Sequence, residues 1–473
     1  MRLMVIAFCV FSCVFVIFVL RGFRAYGGST ILSPIGLFAV FFSFVYFVLP
    51  GLQELLKINT LDHDFYGIDS LATVGTIAMP LFYFAVCAFF FQSNRPVIAT
   101  PVHLRYAAQL SSPAERGLLP ILFLVQLVSL FAAVQLIRSL SAASYAELLL
   151  GRTDTLKGMG YLIDPNIVGY TSALILAVPL FAAGRILNGW RGLAVLFGIL
   201  SAAIPSAYLG KRLMTMVGVA YLLLAYAMLS KKKFPVVKVS LGLLLILSVI
   251  AAMGTVRTQL LQTGSVNSDE AKDEIYSGKF LIDELTGSFG QLEWMGYLLE
   301  HKDRWHLQYG ATYASVIVAP IPRVLWTEKP AGAGPIVNDV AFQTGDWSGG
   351  MTTGCVMEAY LNGGLLGLVM IAAIHGSLLA AVTKYGARVR YRHQVAVYIL
   401  LMACLGEMLI YGEFYGVAIR IAIFVLPVLL YTSFVSHLHR SKVKRGARTE
   451  RAGLPGALPS ALLRKPRIAT EES

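Results

Sequence analysis

The sequence predicts an all-α polytopic integral membrane protein, and three observations point to this class. Of the 473 residues, 57% are hydrophobic and only 14% are charged, and the mean hydropathy is +0.69. These values differ strongly from those of a soluble globular domain. Apolar runs of about 20 residues, enough to cross about 30 Å of hydrocarbon, recur along most of the chain. Helices are the expected spanning form, because in lipid each backbone polar group must find its partner within the segment.

We expect about eleven transmembrane helices and one large extracytoplasmic loop. The apolar runs cover 3–20, 31–50, 70–91, 118–137, 165–183, 190–207, 212–229, 237–254, 355–382, 394–411 and 415–436. They divide the chain into a membrane domain with about eight spans, a large loop, a membrane domain with about three spans and a basic tail. These four parts cover 1–254, 255–354, 355–436 and 437–473. The first run is expected to be a retained helix, because no small-residue cleavage site follows it.

Basic residues predict the orientation of these helices. In the expected topology, alternate connections and the tail are rich in lysine and arginine, from Arg21 and Arg24 at the first connection to the run between Arg440 and Arg467. The positive-inside rule assigns these segments to the cytoplasm, so the N-terminus and the 255–354 loop are expected on the extracytoplasmic side. The net charge of +13 is therefore interpreted as a sign of membrane topology. Membrane lipid is an expected partner, and no nucleic-acid partner is expected.

Several familiar kinds of site are not predicted. The five cysteines include no CxxC pair, so neither a zinc site nor a disulfide framework is expected. The chain has no Walker A sequence and no GxGxxG motif at the start of a soluble domain, so we expect no nucleotide and no cofactor. Asp62 and Asp64 form a DxD pair in an outer loop, which leaves open a metal-dependent transferase. His375 is interpreted as a histidine that is satisfied in the core.

The charges that break the positive-inside pattern are the candidate site. Positive charge in outer loops works against insertion and needs a reason. Five basic residues lie there, namely Arg138, Lys211, Arg212, Arg257 and Arg323. Glu407 and Arg420 lie inside spans at one expected depth, roughly 10 Å below the outer surface, and Glu358 is expected to be similarly shallow. Glu407 and Arg420 either pair and join two helices, or the arginines together form an anion site that suits phosphate oxygens.

The segment Pro320-Ile-Pro-Arg-Val-Leu-Trp-Thr-Glu-Lys-Pro330 and the glycine-rich stretch from Gly349 to Gly367 carry a resemblance to a known family. They resemble the Wzy-type polymerases of O-antigen and other oligosaccharide repeat units. The resemblance implies a glycosyltransferase that acts on undecaprenyl-pyrophosphate-linked oligosaccharides. A hydroxyl of one glycan attacks the anomeric carbon of another, and lipid pyrophosphate leaves without any nucleotide. A chain-length regulator is a usual partner of such enzymes.

Roles for individual residues combine this resemblance with the chemistry. Fixed guanidinium groups stabilise the negative charge that develops on departing pyrophosphate, so Arg323, Arg212 and Arg257 are the candidate catalytic cations, and Arg420 supports them. Glu358 is the first choice for the base that takes the acceptor proton. The remaining candidates for substrate binding are Glu407, His306, Lys211, Arg138, Lys329, Trp326 and Asn362. The loop tryptophans fit either an interfacial belt or flat faces for sugar rings, and both interpretations stay open.

Two other functions share part of this pattern. An O-antigen ligase, or another glycosyltransferase with a lipid-linked donor, has the same architecture, and the Pro-x-Pro-Arg motif favours the polymerase over it. A lipid-oligosaccharide flippase or other transporter is the second alternative. Such a transporter is expected to have a charged path through the whole membrane, whereas the intramembrane charges here cluster near the outer face.

Overall fold

The protein is described from a computed structural model. The structure describes residues 2–22, 31–56, 70–94, 96–139, 164–185, 189–208, 212–230, 290–318, 321, 325–326, 329–330, 332–342, 353–408 and 414–452, and for some helical residues only the backbone. No β-strand occurs in these ranges. Seven of the described helices are long and apolar enough to cross a membrane. The expected class, an all-α membrane protein, is therefore confirmed for this part of the chain.

The described helices of the first half include the expected spans and one helix, Pro101–Gln109, that no expected span covers. The helices before the large loop are α1 (Arg2–Gly22), α2 (Pro34–Ser43), α3 (Leu49–Leu56), α4 (Ser70–Ser93), α5 (Pro101–Gln109), α6 (Glu115–Ser139), α7 (Val168–Ala182), α8 (Gly189–Tyr208) and α9 (Arg212–Leu229). A π-helical turn, Phe44–Val48, joins α2 to α3, and a 3-10 turn, Asp164–Ile167, leads into α7. The expected span at 237–254 lies outside the described residues.

The second half begins with three short helices in the segment expected to be the large loop and ends with the remaining helices of the bundle. These are α10 (Gln291–Glu300), α11 (Ala311–Ala314), α12 (Ala333–Phe342), α13 (Gly354–Arg388), α14 (Arg392–Met408), α15 (Phe414–Phe424) and α16 (Leu426–Ala452). The run expected as one span over 415–436 is divided between α15 and α16. The break at Val425 comes two residues before Pro427, which has no backbone N–H to donate to the preceding turn.

The core of the bundle is formed around α7 and along the contact between α4 and α13. All but one of the residues of α7 are buried, as expected for a helix that is apolar on every side. Gly169 on α7 and Gly198 on α8 bring the two backbones into direct contact, since a Cβ at either position would collide with the other helix. Gln126 on α6 is fully buried and donates to Ser201 on α8. Small residues and paired polar groups thus hold these three helices together.

Helix α13 contains a sharp reversal that the sequence did not predict. Gly363 and Gly364 depart from helical geometry, and Gly364 has φ 58° and ψ −142°. Gly367 lies against the carbonyl oxygen of Ala359, although these positions would be about 12 Å apart in a continuous helix. The segment 354–362 therefore folds back as a short buried arm on the segment 365–388. Glu358 had been expected at the start of the span. It lies on this arm instead.

The two ends of the bundle can be told apart by following the chain. Glu115, at the start of α6, contacts Arg392 and His393 at the start of α14. Glu358 binds the backbone of Phe414, which lies just beyond the other end of α14. The 17 residues of α14 separate these contacts by about 25 Å. We call them the Glu115 end and the Glu358 end.

Candidate functional site

The Glu358 carboxylate joins three separate parts of the chain. Its Oε1 accepts a hydrogen bond from the Thr312 hydroxyl at 2.8 Å, and its Oε2 accepts one from the Phe414 backbone N–H at 2.7 Å. Thr312 belongs to the short loop helix α11, and Phe414 is the first residue of α15. The carboxylate is only 1% exposed, and the positive end of the α15 dipole favours its negative charge. In this arrangement Glu358 positions α11 and α15 against the buried arm of α13.

Asn362 completes the same hydrogen-bond network one turn further along the arm. Its Nδ2 donates to Thr312 Oγ1 at 2.6 Å and to the Glu358 carbonyl at 2.8 Å. Its Oδ1 accepts from the backbone N–H of Gly310 at 3.0 Å. Asn362 is 6% exposed, and its amide oxygen and nitrogen are thus both paired inside the protein. The positions i and i+4 on one helix bring Glu358 and Asn362 to the same face.

Tyr313 provides a hydroxyl beside this network. Its ring packs edge-on against Phe414, with 5.3 Å between the ring centroids. Its hydroxyl oxygen is buried and has no hydrogen-bond partner among the described residues. Burial raises the pKa of the Tyr313 phenol well above its ordinary value, and the nearby Glu358 carboxylate adds to the shift. The phenol therefore stays protonated at neutral pH and remains able to donate a hydrogen bond.

Four of the predicted site residues reach the same end of the bundle as Glu358. Arg138 is exposed in the last turn of α6, which starts at the Glu115 end. The backbone of Arg212 starts α9, and that of Glu407 lies in the last turn of α14. The backbone of Arg420 lies six residues into α15, about 9 Å along this helix from Phe414. The side chains of Arg212, Glu407 and Arg420 lie outside the described residues, and whether Glu407 pairs with Arg420 stays a prediction.

The other predicted site residues are distributed over the large loop or lie outside the described residues. Outside the described residues lie Arg323, Arg257 and Lys211. In the loop, Lys329 is 8% exposed and donates from Nζ to the Ile321 carbonyl at 3.1 Å. Trp326 is 39% exposed and His306 is exposed. The structure therefore brings Glu358 and Asn362 into direct contact.

The described part of the large loop is packed on the membrane helices. Helix α10 contacts α4 and buries Trp294, which is 7% exposed. Trp305 donates from Nε1 to the Leu298 carbonyl at 2.8 Å, and its ring lies edge-on to Tyr360 on the arm. These two tryptophans therefore fix the loop to the bundle. Trp326 is more exposed, and whether it belongs to an interfacial belt or binds a sugar ring stays a prediction.

Sequence reasoning missed three groups of this site for physical reasons. Thr312 lies in a loop 46 residues before Glu358, with Tyr313 next to it, and nothing local distinguishes the two from other loop residues. The Phe414 contribution is a backbone N–H, which every residue except proline has.

The interpretation of His375 is confirmed, because it is 4% exposed and its Nδ1 is hydrogen-bonded to the Tyr83 hydroxyl.

Removal of the Thr312 hydroxyl is expected to destabilise this site. Thr312→Val keeps the shape of the side chain but takes one partner each from Glu358 and Asn362. Leaving buried polar groups unpaired costs about 1–3 kcal/mol, so the melting temperature of the purified protein should fall by several degrees. Thr383→Val is the matched control, since Thr383 is fully buried and, within the described part of the chain, its hydroxyl bonds only the carbonyl of Leu379 on its own helix. Equal melting temperatures for the two variants would show that the network does not hold the arm.

The fold and the network define a helical membrane protein with a buried carboxylate site at one end of its bundle. Searches of protein-family models, curated proteins and solved structures find no match to this chain.

Proposed function

We propose that this protein polymerises undecaprenyl-pyrophosphate-linked oligosaccharide repeat units into O-antigen or a related surface polysaccharide. In this proposal it is a multi-pass protein of the bacterial inner membrane with about eleven spans. Its N-terminus and large loop face the periplasm, and its basic tail faces the cytoplasm. Undecaprenyl-linked glycan is the substrate, no cofactor is needed, and a chain-length regulator is the expected protein partner.

One arrangement carries the proposal. The motif carboxylate Glu358 lies at the same end of the bundle as the helix positions of Arg138, Arg212 and Arg420. A site for pyrophosphate transfer needs cations for the leaving group and a base for the acceptor, near one membrane surface. Arginine suits the first task because its planar fork donates two parallel hydrogen bonds to phosphate oxygens.

The proposed reaction requires one bond to form and one to break. The acceptor hydroxyl oxygen forms a bond to the anomeric carbon of the donor glycan, and the bond between that carbon and the pyrophosphate oxygen breaks. The acceptor proton passes to Glu358, and the negative charge on lipid pyrophosphate is stabilised by Arg323, Arg212 and Arg257. Arg420 assists from within the membrane. Lys329, Trp326, Asn362 and the remaining candidates position the glycan.

The test is an activity assay on the full chain in nanodiscs. The substrate is the undecaprenyl-pyrophosphate repeat unit without nucleotide, with and without EDTA, and mass spectrometry measures the products. We expect a ladder of multimers that EDTA does not change. Transfer only to lipid A core, in a parallel reaction to which this acceptor is added, would favour the ligase, and inhibition by EDTA would favour a metal route through Asp62 and Asp64. Unchanged substrate beside an active control enzyme would overturn the polymerase and favour the transporter.

Variants of the arginines test the proposed mechanism. Arg323→Gln and Arg212→Gln should each lower the rate of polymerisation by roughly a hundredfold or more, which is the usual effect of removing one preorganised donor to a developing anion. Arg388→Gln is the control, because Arg388 is exposed at the opposite end of α13. Wild-type rates in both site variants, at equal protein levels, would contradict the assignment.

A further inference from the structure

A second polar site lies at the Glu115 end, about 25 Å from the Glu358 network. A cavity of about 410 Å³ opens there between the starts of α6, α8 and α14 and the end of α7. Its polar lining includes Ser111, Ser112, Glu115, Arg116, Arg191 and Arg392. The volume falls within the range of about 300–1,000 Å³ that is typical of small-ligand sites.

The charge of this cavity favours an anion. Three arginines line it against one carboxylate. The Glu115 carboxylate is already paired on both oxygens, at 2.5 Å from Arg392 Nε and at 2.9 Å from His393 Nδ1. Glu115 and Arg392 therefore compensate each other and stabilise the wall of the cavity. Arg116 and Arg191 have no ion-pair partner among the described residues, so their positive charge is not compensated there.

The rest of the lining is apolar and continues onto the lipid-facing surface. Leu119, Leu176, Pro179 and Trp190 line the cavity together with the polar groups. Trp190 is 68% exposed, and the Arg191 guanidinium lies over its ring at 5.7 Å from the centroid. Two turns of α8 beyond the cavity expose large apolar side chains, among them Leu193 and Phe197. An occupant of this site is thus expected to combine an anionic group with a hydrocarbon part.

We propose that this cavity binds the phosphate headgroup of an anionic phospholipid, with its acyl chains along the exposed face of α8. Arg116 and Arg191 bind the phosphate oxygens, and the Ser111 hydroxyl offers a further donor. Trp190 lies at the level of the glycerol, where tryptophan is enriched in membrane proteins. Basic pockets between membrane helices on the cytoplasmic side are suited to such headgroups. This site is separate from the Glu358 site and does not depend on the proposed polymerase activity.

The test measures lipid binding by the delipidated full chain. Native mass spectrometry counts bound lipids during titration with phosphatidylglycerol, and phosphatidylcholine serves as the neutral comparison. We expect one phosphatidylglycerol that is retained at least tenfold more tightly than phosphatidylcholine. The double variant Arg116→Gln with Arg191→Gln should weaken this binding by about tenfold or more, because each basic group near the surface contributes about a factor of five.

The control variant separates a built site from general surface charge. Arg388→Gln with Arg390→Gln removes the same charge from two exposed arginines outside the cavity lining, and it should leave phosphatidylglycerol binding within twofold of wild type. Equal losses in the two double variants, or no loss in the cavity variant, would overturn the proposal. Soluble glycerol phosphate should compete only weakly, and competition as strong as that of the lipid would assign the site to a soluble anion instead. Melting temperatures in phosphatidylcholine confirm that both variants fold.

Discussion

Replacement of Glu358 by glutamine is expected to lower the rate of glycan polymerisation by about a hundredfold or more while the protein stays folded. A positioned general base contributes typically 10²–10⁴-fold to a rate, and a carboxamide cannot take the acceptor proton. Glutamine can nevertheless preserve the observed contacts. Its oxygen accepts from Phe414 N–H, and its amide nitrogen donates to Thr312 Oγ1, which has two acceptor lone pairs. The rates are measured in nanodiscs with the lipid-linked repeat unit.

Glu358→Ala distinguishes the two roles of this side chain. Alanine removes both the base and the contacts that join α11, α15 and the buried arm, so it should lower both the activity and the melting temperature. Near-normal activity of Glu358→Gln together with an inactive, less stable Glu358→Ala would show that Glu358 is a positioning residue. The proton acceptor would then be sought at Glu407 or His306. Loss of activity in Glu358→Gln at an unchanged melting temperature would support the catalytic role.

The membrane helices could be predicted from the sequence because hydrophobicity and length are local properties. Each expected span that lies within the described residues corresponds to one or two helices, and seven of the helices satisfy the length and hydropathy needed to cross a membrane. A span over 165–183 was also expected, and helix α7 covers 15 of these residues. It is surrounded by other helices, and burial by protein replaces contact with lipid.

The candidate site could be predicted only in part because its contacts are long-range. The motif identified Glu358 and Asn362, and the charge pattern identified the arginines near the same end of the bundle. Thr312 and Phe414 join this site through the fold alone, from positions 46 and 56 residues away from Glu358. The cavity at the Glu115 end was not predicted for another reason. Its arginines fit the positive-inside pattern, so their number needed no further explanation.

The reversal at Gly364 should make this position one of the most sensitive to substitution in the described chain. Gly364 has φ 58° and ψ −142°, a conformation that is essentially restricted to glycine. A Cβ at this position meets no neighbouring atom within 4 Å, so the cost of Gly364→Ala comes from the backbone alone and is of order 1–3 kcal/mol. The arm that carries Glu358 and Asn362 should then lose its position. We expect a lower melting temperature and a loss of activity that exceeds the loss of folded protein.

Two other glycines of the same turn make this prediction specific. Gly363 has φ −154°, outside the left-handed region, and a Cβ there would meet no atom within 4 Å, so Gly363→Ala should be tolerated within about 1 kcal/mol. Gly367→Ala tests the packing of the arm instead, because its Cβ would collide with the Ala359 carbonyl oxygen. Overpacking of this kind costs about 1–3 kcal/mol. If Gly364→Ala and Gly367→Ala melt at the same temperature as Gly363→Ala, the arm does not fold back on the span, and Glu358 lies at the start of a continuous helix. If both lose stability and Gly363→Ala does not, the reversal is what places the Glu358 carboxylate beside the loop and α15.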